Sequence, residues 1–535
     1  MCHRTSIGSL TRYSEPNGPI LLPYFNHKAS RSKIQVVKNQ ILQKKMAQEQ
    51  QQQPHTSSSH VLIFPLPAQG HVNSMLKLAE LLAHAGLKVT FLNSHFIHQQ
   101  LLRHTDILSR FAKYAGFQFK TILDGVPNDH PRVGGDFVRK LFDGLELITK
   151  PLFKDMLVNS KPKVDCIIGD GVLGIALDIA DDLGIPIIQF RTISACSLWA
   201  YFAIPDMIHA GELPIKGNED MDRLITSVPG MEAFLRCRDL PSFCRASDTK
   251  DSILQQLAQE TRKNSEAHGL LLNTFEDLEG PILSHMRTKF PKIYTIGPLN
   301  LHLKTRLFKS DQTSSGPSSN SFREVDRSCL SWLDKQPKGS VVYVSFGSVA
   351  VLSREQVFEF WFGLVNSEKR FLLVLRPDNM AENGGGDDKG VSIPIELIEG
   401  TKKRGYRVSW APQEEVLAHE AVGGFLTHSG WNSTLESVVE GVPMICWSYF
   451  ADQQLNSRFV SKVWGLGLDM KDLCDREVVE KMVNELMVEK REEFVKSAAK
   501  MANYAKQCVT VGGSSYCNLD RLVEDIKLMN TNLGK

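Results

Sequence analysis

No run of eighteen apolar residues occurs in the chain, and even "CIIGDGVLGIALDIADDLGIPIIQF" is interrupted by aspartates, so a membrane-spanning helix is not expected. Cysteine pairing signals are missing too. The ten cysteines, Cys2 to Cys517, form no CxxC pair and no Cys/His spacing suited to zinc, which points to a reduced, cytoplasmic setting and to no bound metal. No GxGxxG follows a strand pattern. Gly384 to Gly386 sit in "NGGGDDKG", which reads as a flexible loop and not as a dinucleotide site. The basic N-terminal tail has no apolar core and is not expected to be a secretory signal. A large charge imbalance is likewise absent, with 62 basic against 60 acidic residues. Residues 1–45 hold eight Lys/Arg and one Glu, leaving a mildly acidic body that gives no footprint for nucleic acid.

What is present is length and α/β patterning. The 535 residues exceed a single core and imply two domains. Residues 1–59 are expected to be a disordered extension, with Met46 opening the polar leader "MAQEQQQQPHTSSSH". From His60, "HVLIFPLP", "NSMLKLAELLAHAG" and "LKVTFLNS" read as strand, helix, strand, a parallel βαβ unit. "VDCIIGD", "IPIIQF", "GLLLNTF" and "KIYTIG" continue the strands of a first Rossmann-like domain over residues 60–300. The polar "KSDQTSSGPSSNS" marks a linker, placed at 301–324. A second Rossmann-like domain over 325–512 is read from "SVVYVSFGS", "FLLVLRPD", "YRVSW", "GGFLTH" and "PMICW". Residues 513–535 are expected to form a terminal helix that packs back on the first domain.

Two places carry chemistry. "GGFLTHSGWNSTLESVVEG" reads as a strand, a tight turn and a helix ending at Gly441. Such a junction aims free backbone N–H groups and the helix dipole at one point, which suits a phosphate, with His428, Asn432 and Ser433 as added donors. Ser348, in the strand-end turn "SFGS", adds another. In the first half, "FPLPAQGHVNSML" puts His71 at the carboxyl edge of the sheet, where ligands bind in such folds, and Asp170 ends another strand in "CIIGDG". The only DxD, Asp220 to Asp222, follows "KGNE" and not an apolar strand, so it reads as a polar loop.

The 44 residues from Trp410 to Gln453, "WAPQEEVLAHEAVGGFLTHSGWNSTLESVVEGVPMICWSYFADQ", resemble the donor-binding box of plant family 1 UDP-glycosyltransferases. That resemblance implies a GT-B fold, two Rossmann-like domains facing across a cleft that holds the active site. It places Trp410, Ala411 and Gln413 near the uracil and ribose, where the flat face of Trp410 suits base stacking. His428, Asn432 and Ser433 fall around the diphosphate, Trp431 is among the donor-binding residues, and Asp452 and Gln453 fall on a hexose. Glu436 has two readings. Ser433-x-x-Glu436 is a capping box, whereas the family pattern puts this carboxylate on the ribose hydroxyls. The terminal Gln453 is the family's companion of glucose.

The same likeness makes His71 the general base and Asp170 its orienting carboxylate, and brings Thr192, which follows Arg191 in "FRTISACS", to the sugar. Two residues depart from the common pattern, Ser448 for proline and Leu373 for tryptophan; the first is expected to loosen the loop that presents Asp452 and Gln453. The implied reaction is inverting transfer from UDP-glucose to a small alcohol, by a monomer with no cofactor and no metal. Acceptor contacts are expected from residues 93–100, 124–145 and 192–210. "FRTISACSLWAYFAIPDMIHAGELPIKG" and "SVPGMEAFLRCRDLPSFCR" are similar to the 7-deoxyloganetic acid glucosyltransferase group, which implies an iridoid or other monoterpenoid acceptor. Phenolic or flavonoid aglycones are the alternative, and a non-catalytic UDP-sugar-binding protein is the reading that loss of His71 or Asp170 would have favoured.

Overall fold

His60–Phe64 (β1) is buried at every position, as expected for a parallel strand covered by helices on both faces. The computed structural model that shows this describes residues 59–130, 132, 134–307, 321–376, 393–471 and 473–532. The expected N-terminal extension, except Ser59, lies outside the described residues, as do the Gly384–Gly386 stretch and most of the polar linker.

Six more strands join β1: Lys88–Ser94 (β2), Phe117–Ile122 (β3), Cys166–Asp170 (β4), Ile187–Arg191 (β5), Gly269–Leu272 (β6) and Ile293–Thr295 (β7). Their order is β3-β2-β1-β4-β5-β6-β7, with every pairing parallel. A second parallel sheet contains Val341–Ser345 (β8), Arg370–Val374 (β9), Gly405–Val408 (β10), Val422–Thr427 (β11), Met444–Cys446 (β12) and Gly467–Asp469 (β13). Its order is β10-β9-β8-β11-β12-β13. Strand order reverses between β1 and β4 in one sheet and between β8 and β11 in the other. Chains leaving the carboxyl ends of such neighbours diverge to opposite faces and open a crevice between them. The candidate residues sit at these crevices.

The helix after β1, Gln69–His84 (α1), buries Val72, Met75, Leu76, Ala79 and Leu82 at the spacing of a helix laid on a sheet, and Ser74, Leu78, Glu80, Leu81 and Ala83 are buried as well, so it is covered on more than one face. It stops at Ala85, and Gly86 follows with φ 86°, a left-handed turn that glycine adopts without steric cost. Leu299–Leu307 (α2) occupies the start of the stretch expected to be linker. The reason is packing: Leu299 and Leu303 are buried in the same core as Val61 and Ile63. Leu519, Leu522, Val523 and Ile526 of the last helix, Ser514–Asn532, enter this core as well, and the Tyr294 hydroxyl donates to Asp525 Oδ2 at 2.5 Å. Leu373, which departs from the family's common tryptophan, is 2% exposed in β9 and is part of the hydrophobic core of the second sheet.

Candidate active site

A cleft of about 1190 Å³ runs between the carboxyl ends of the two sheets. Each of the fourteen residues singled out in the sequence lines it except Asp170, which lies directly behind His71.

His71 is the third residue of α1. Its Nδ1 lies 2.6 Å from Asp170 Oδ2 and 2.9 Å from Thr192 Oγ1. A carboxylate can only accept, so Nδ1 carries the proton and Nε2 keeps its lone pair. Nε2 has no hydrogen bond among the described residues, and the ring borders the cleft. Asp170 ends β4 with its carboxylate buried. The same Oδ2 accepts from Leu66 N at 3.1 Å, and Oδ1 from Val172 N at 3.3 Å. Burial alone would raise the Asp170 pKa, but the facing imidazole, the Leu66 amide and the nearby Arg191 charge outweigh it and hold the group below its ordinary range. Thr192, assigned to the sugar by family pattern, thus shares the imidazole nitrogen with Asp170.

Across the cleft, Gly430 caps Trp431–Glu440 (α4, the helix after Gln413–Leu417, α3). The first helical residues are therefore Trp431, Asn432 and Ser433, whose amides have no partner within the helix and point into the turn. This settles the two readings of Glu436 as far as capping goes. Ser433 lies inside the helix and caps nothing. Instead, Gln413 Nε2 donates to Ser433 Oγ at 2.8 Å and to Glu436 Oε2 at 2.7 Å. Burial, with the Glu414 charge, raises the Glu436 pKa to about 7 against the pull of Lys77.

His428 leaves β11 between two glycines. A Cβ on Gly347, whose φ is 70°, or on Gly430 would stand 2.5 Å from the imidazole ring, so both must be glycine for the ring to sit there. Burial and the Arg376 charge lower the His428 pKa to about 4, which makes it a neutral donor and not a cation. Ser348 follows β8, and its carbonyl accepts from Arg376 Nη1 at 2.6 Å. Trp410 is half-buried with Arg323 5.9 Å from its ring, Ala411 is buried, and Trp431 donates Nε1 to Asn273 O at 2.8 Å. Asn432 is engaged across the cleft: Nδ2 donates to Gly70 O at 2.9 Å and Oδ1 accepts from Ser74 Oγ at 2.8 Å. Its side chain holds α1, the His71 helix, and only its backbone N–H remains for an anion.

The loop before Gln453–Arg458 (α5) is closed on itself. Gln453 Oε1 accepts from Tyr449 N and Phe450 N, both at 2.9 Å, which leaves its Nε2 to donate. Ser448 Oγ donates to Gln453 O at 2.9 Å. The serine that stands for proline thus ties the loop, where loosening was expected. Asp452 accepts from Asn456 Nδ2 at 2.7 Å, and burial raises its pKa.

Several participants gave no sequence signal. Lys77 of α1 pairs with Glu414 at 2.7 Å and Lys304 of α2 pairs with it at 3.0 Å. Burial pushes the Glu414 pKa up, and these two ammonium groups bring it down to about 2. Ser242 exchanges two hydrogen bonds with Ala451, at 2.8 and 2.9 Å, steadying a residue whose φ is 56°. Phe243 meets Phe450 edge-on at 5.0 Å. From the first domain Phe137, Leu141, Phe142, Ile193 and Phe243 line the cleft, whereas none of residues 93–100, where acceptor contacts were expected, does. Asp222 of the DxD stretch is bound by Arg236 and Arg238, each at 3.0 Å.

Two parallel Rossmann-like sheets, one presenting a His–Asp pair and the other a strand–turn–helix anion site across a shared cleft, define the GT-B class of glycosyltransferase. Comparison with known proteins gives the family. Residues 320–500 match "UDP-glucoronosyl and UDP-glucosyl transferase", and residues 57–110 match "Glycosyltransferase, N-terminal domain". The chain is 58% identical to 7-deoxyloganetic acid glucosyltransferase of Catharanthus roseus over 475 residues, 88% of this chain and 97% of that protein. It is 44% identical to myricetin 3-O-rhamnoside 1,2-glucosyltransferase of Crocosmia x crocosmiiflora, covering 88% and 96% of the two chains. The crystal structure of Os79 from O. sativa in complex with UDP superposes with a TM-score of 0.72 at 27% identity, covering 87% of this chain and all of that one. The chain belongs to the UDP-glycosyltransferase family. Among the described residues no helix is long and apolar enough to cross a membrane.

Proposed function

We propose that this enzyme transfers glucose from UDP-glucose, with inversion, to a hydroxyl of a small iridoid such as 7-deoxyloganetic acid. One observation carries the mechanism: the lone pair of His71 Nε2 opens into the cleft, while Nδ1 is held by the buried Asp170 at 2.6 Å. An acceptor hydroxyl placed at Nε2 gives up its proton there as its oxygen attacks the anomeric carbon. The bond from that carbon to the diphosphate oxygen breaks, and its electron pair leaves with UDP. An α-linked donor so yields a β-glucoside. Asp170 stabilises the imidazolium as it forms.

The departing diphosphate is met by neutral His428, by the Ser348 hydroxyl and by the first amides of α4, a preorganised donor set at a helix N-terminus. Trp410 stacks on uracil, Ala411 and Gln413 flank the base and ribose, and Glu436 accepts from the ribose hydroxyls. Asp452, Gln453 Nε2 and Thr192 hold the hexose. The 58% identity to the Catharanthus enzyme supports the acceptor class. A flavonoid acceptor is the second reading, supported by the 44% identity to the myricetin rhamnoside enzyme. Unpaired described cysteines fit a cytoplasmic location, with a monomer as the working unit. Purified protein with UDP-glucose and a panel of aglycones tests this directly. Iridoid glucosides are expected as the main products; turnover confined to flavonoids replaces the first acceptor class with the second.

A further inference from the structure

Arg191 ends β5 with 3% of its surface exposed, yet among the described residues its one hydrogen bond runs from Nη1 to Gly171 O at 3.0 Å. No carboxylate comes within ion-pair distance of it among the described residues. Its Nε and Nη2 have no partner among the described residues, and a guanidinium so largely withdrawn from water is seldom kept without one. The residue borders the cleft beside Thr192, Ile193 and Tyr201. Tyr201 is also buried, at 3% exposure, and its hydroxyl has no partner among the described residues. The position is built for the arginine: a Cβ on Gly171 would stand 2.3 Å from Arg191 Cδ and 3.0 Å from Cγ, so glycine there makes room for the stem.

We propose that Arg191, with the Tyr201 hydroxyl, forms a carboxylate-recognising subsite in the floor of the cleft, next to the reacting hydroxyl. A planar guanidinium presents two parallel N–H groups that match a carboxylate. The protein's own anions leave room for it. Asp170 is taken up by His71 and two amides, Asp452 is bonded to Asn456, and burial pushes the pKa of both Asp452 and Glu260 upward. Burial also keeps Tyr201 protonated and therefore a donor.

The proposal rests on the iridoid-acid reading above, but the carboxylate has two sources, the acceptor or a uronic acid on the donor. The full-length enzyme and its Arg191→Gln and Arg191→Lys variants are assayed with UDP-glucose on two matched pairs, 7-deoxyloganetic acid with its methyl ester and a phenolic acid with its methyl ester. A second arm compares UDP-glucose with UDP-glucuronate on an uncharged acceptor. UDP-glucose binding by calorimetry reports that each variant is folded. Arg191→Gln is expected to lower kcat/KM for the acid by about 10–100-fold, mainly through KM, and to cut the acid-to-ester ratio at least tenfold. Arg191→Lys, which keeps charge but loses the fork, falls between and carries the test if the glutamine variant does not fold. Should only the phenolic pair respond, the subsite stands and the iridoid reading fails. A ratio that changes only in the glucuronate arm assigns the carboxylate to the donor. Equal losses on acid and ester, or no change in either arm, overturn the proposal and leave Arg191 as a strut for the Asp170–Gly171 turn.

Discussion

Asp170→Asn separates two ways in which a carboxylate serves a catalytic histidine. In the structure one oxygen, Oδ2, accepts from both His71 Nδ1 at 2.6 Å and Leu66 N at 3.1 Å, whereas among the described residues Oδ1 has only a long contact to Val172 N at 3.3 Å. An asparagine that puts its carbonyl at the Oδ2 position keeps both strong bonds and sets its NH₂ against one weak donor. The flipped amide opposes two donors at once. The first orientation therefore wins, and Nδ1 stays protonated. What is lost is the negative charge facing the imidazolium, a hydrogen bond to a charged group being worth about 1.5–3 kcal/mol. At 1.36 kcal/mol per decade this is a loss of about 10–150-fold in kcat, well short of the roughly 10⁴ seen when the wrong tautomer is imposed. Single-turnover rates at saturating donor and acceptor measure it, with calorimetry of UDP binding as the control. His71→Ala should lose about 10²–10⁴, and the double variant no more than the worse single one. An Asp170→Asn enzyme within threefold of the parent refutes the charge role; one as poor as His71→Ala shows that the tautomer is reversed.

Burial raises the Glu436 pKa to about 7; with ribose hydroxyls bound by its ionised form, as proposed, UDP-glucose should bind about tenfold more weakly at pH 6 than at pH 8. Calorimetry should show this slope, Glu436→Gln should abolish it, and His428, neutral down to about 4, should add nothing to it. Gly347→Ala places a methyl 2.5 Å from the His428 ring at a φ of 70°; KM for UDP-glucose should rise about tenfold with stability lowered by about 1–2 kcal/mol, and an unchanged KM would remove His428 from the diphosphate. A double-mutant cycle on Lys77 and Glu414, paired at 2.7 Å and each less than a third exposed, should give a coupling of about 0.5–1 kcal/mol in denaturant unfolding, weakened by salt; no coupling at low salt would show that the pair does not tie α1 to α3.

Most of the candidate residues that line the cleft could be read from the sequence because they lie in short continuous stretches, one chain segment per crevice. The strand-turn-helix around His428 and the turn before His71 announce themselves by glycines and by the change from apolar run to helical spacing. β3 and β13 were not anticipated. Both are edge strands, β3 only half-buried and β13 three residues long, so neither leaves an apolar run to recognise. Contacts that join distant ordinary residues are illegible for a different reason: Lys77 with Glu414, Ser74 with Asn432 and Ser242 with Ala451 involve side chains whose local context is that of any surface helix or turn. Glu436 shows the opposite failure. Its spacing from Ser433 mimics a capping box, and only the true helix start at Trp431 excludes it.

In the proposed mechanism glucose passes from UDP-glucose with inversion, by direct attack of an acceptor activated at His71. The measurement is the anomeric configuration of the product, by proton NMR of the glucoside formed from UDP-α-glucose and 7-deoxyloganetic acid, with UDP release counted in the same reaction. A β-linked glucoside formed one for one with UDP, and lost in the His71→Ala enzyme, is the expected result. An α-linked product, or UDP released as free glucose accumulates without glucoside, would contradict it.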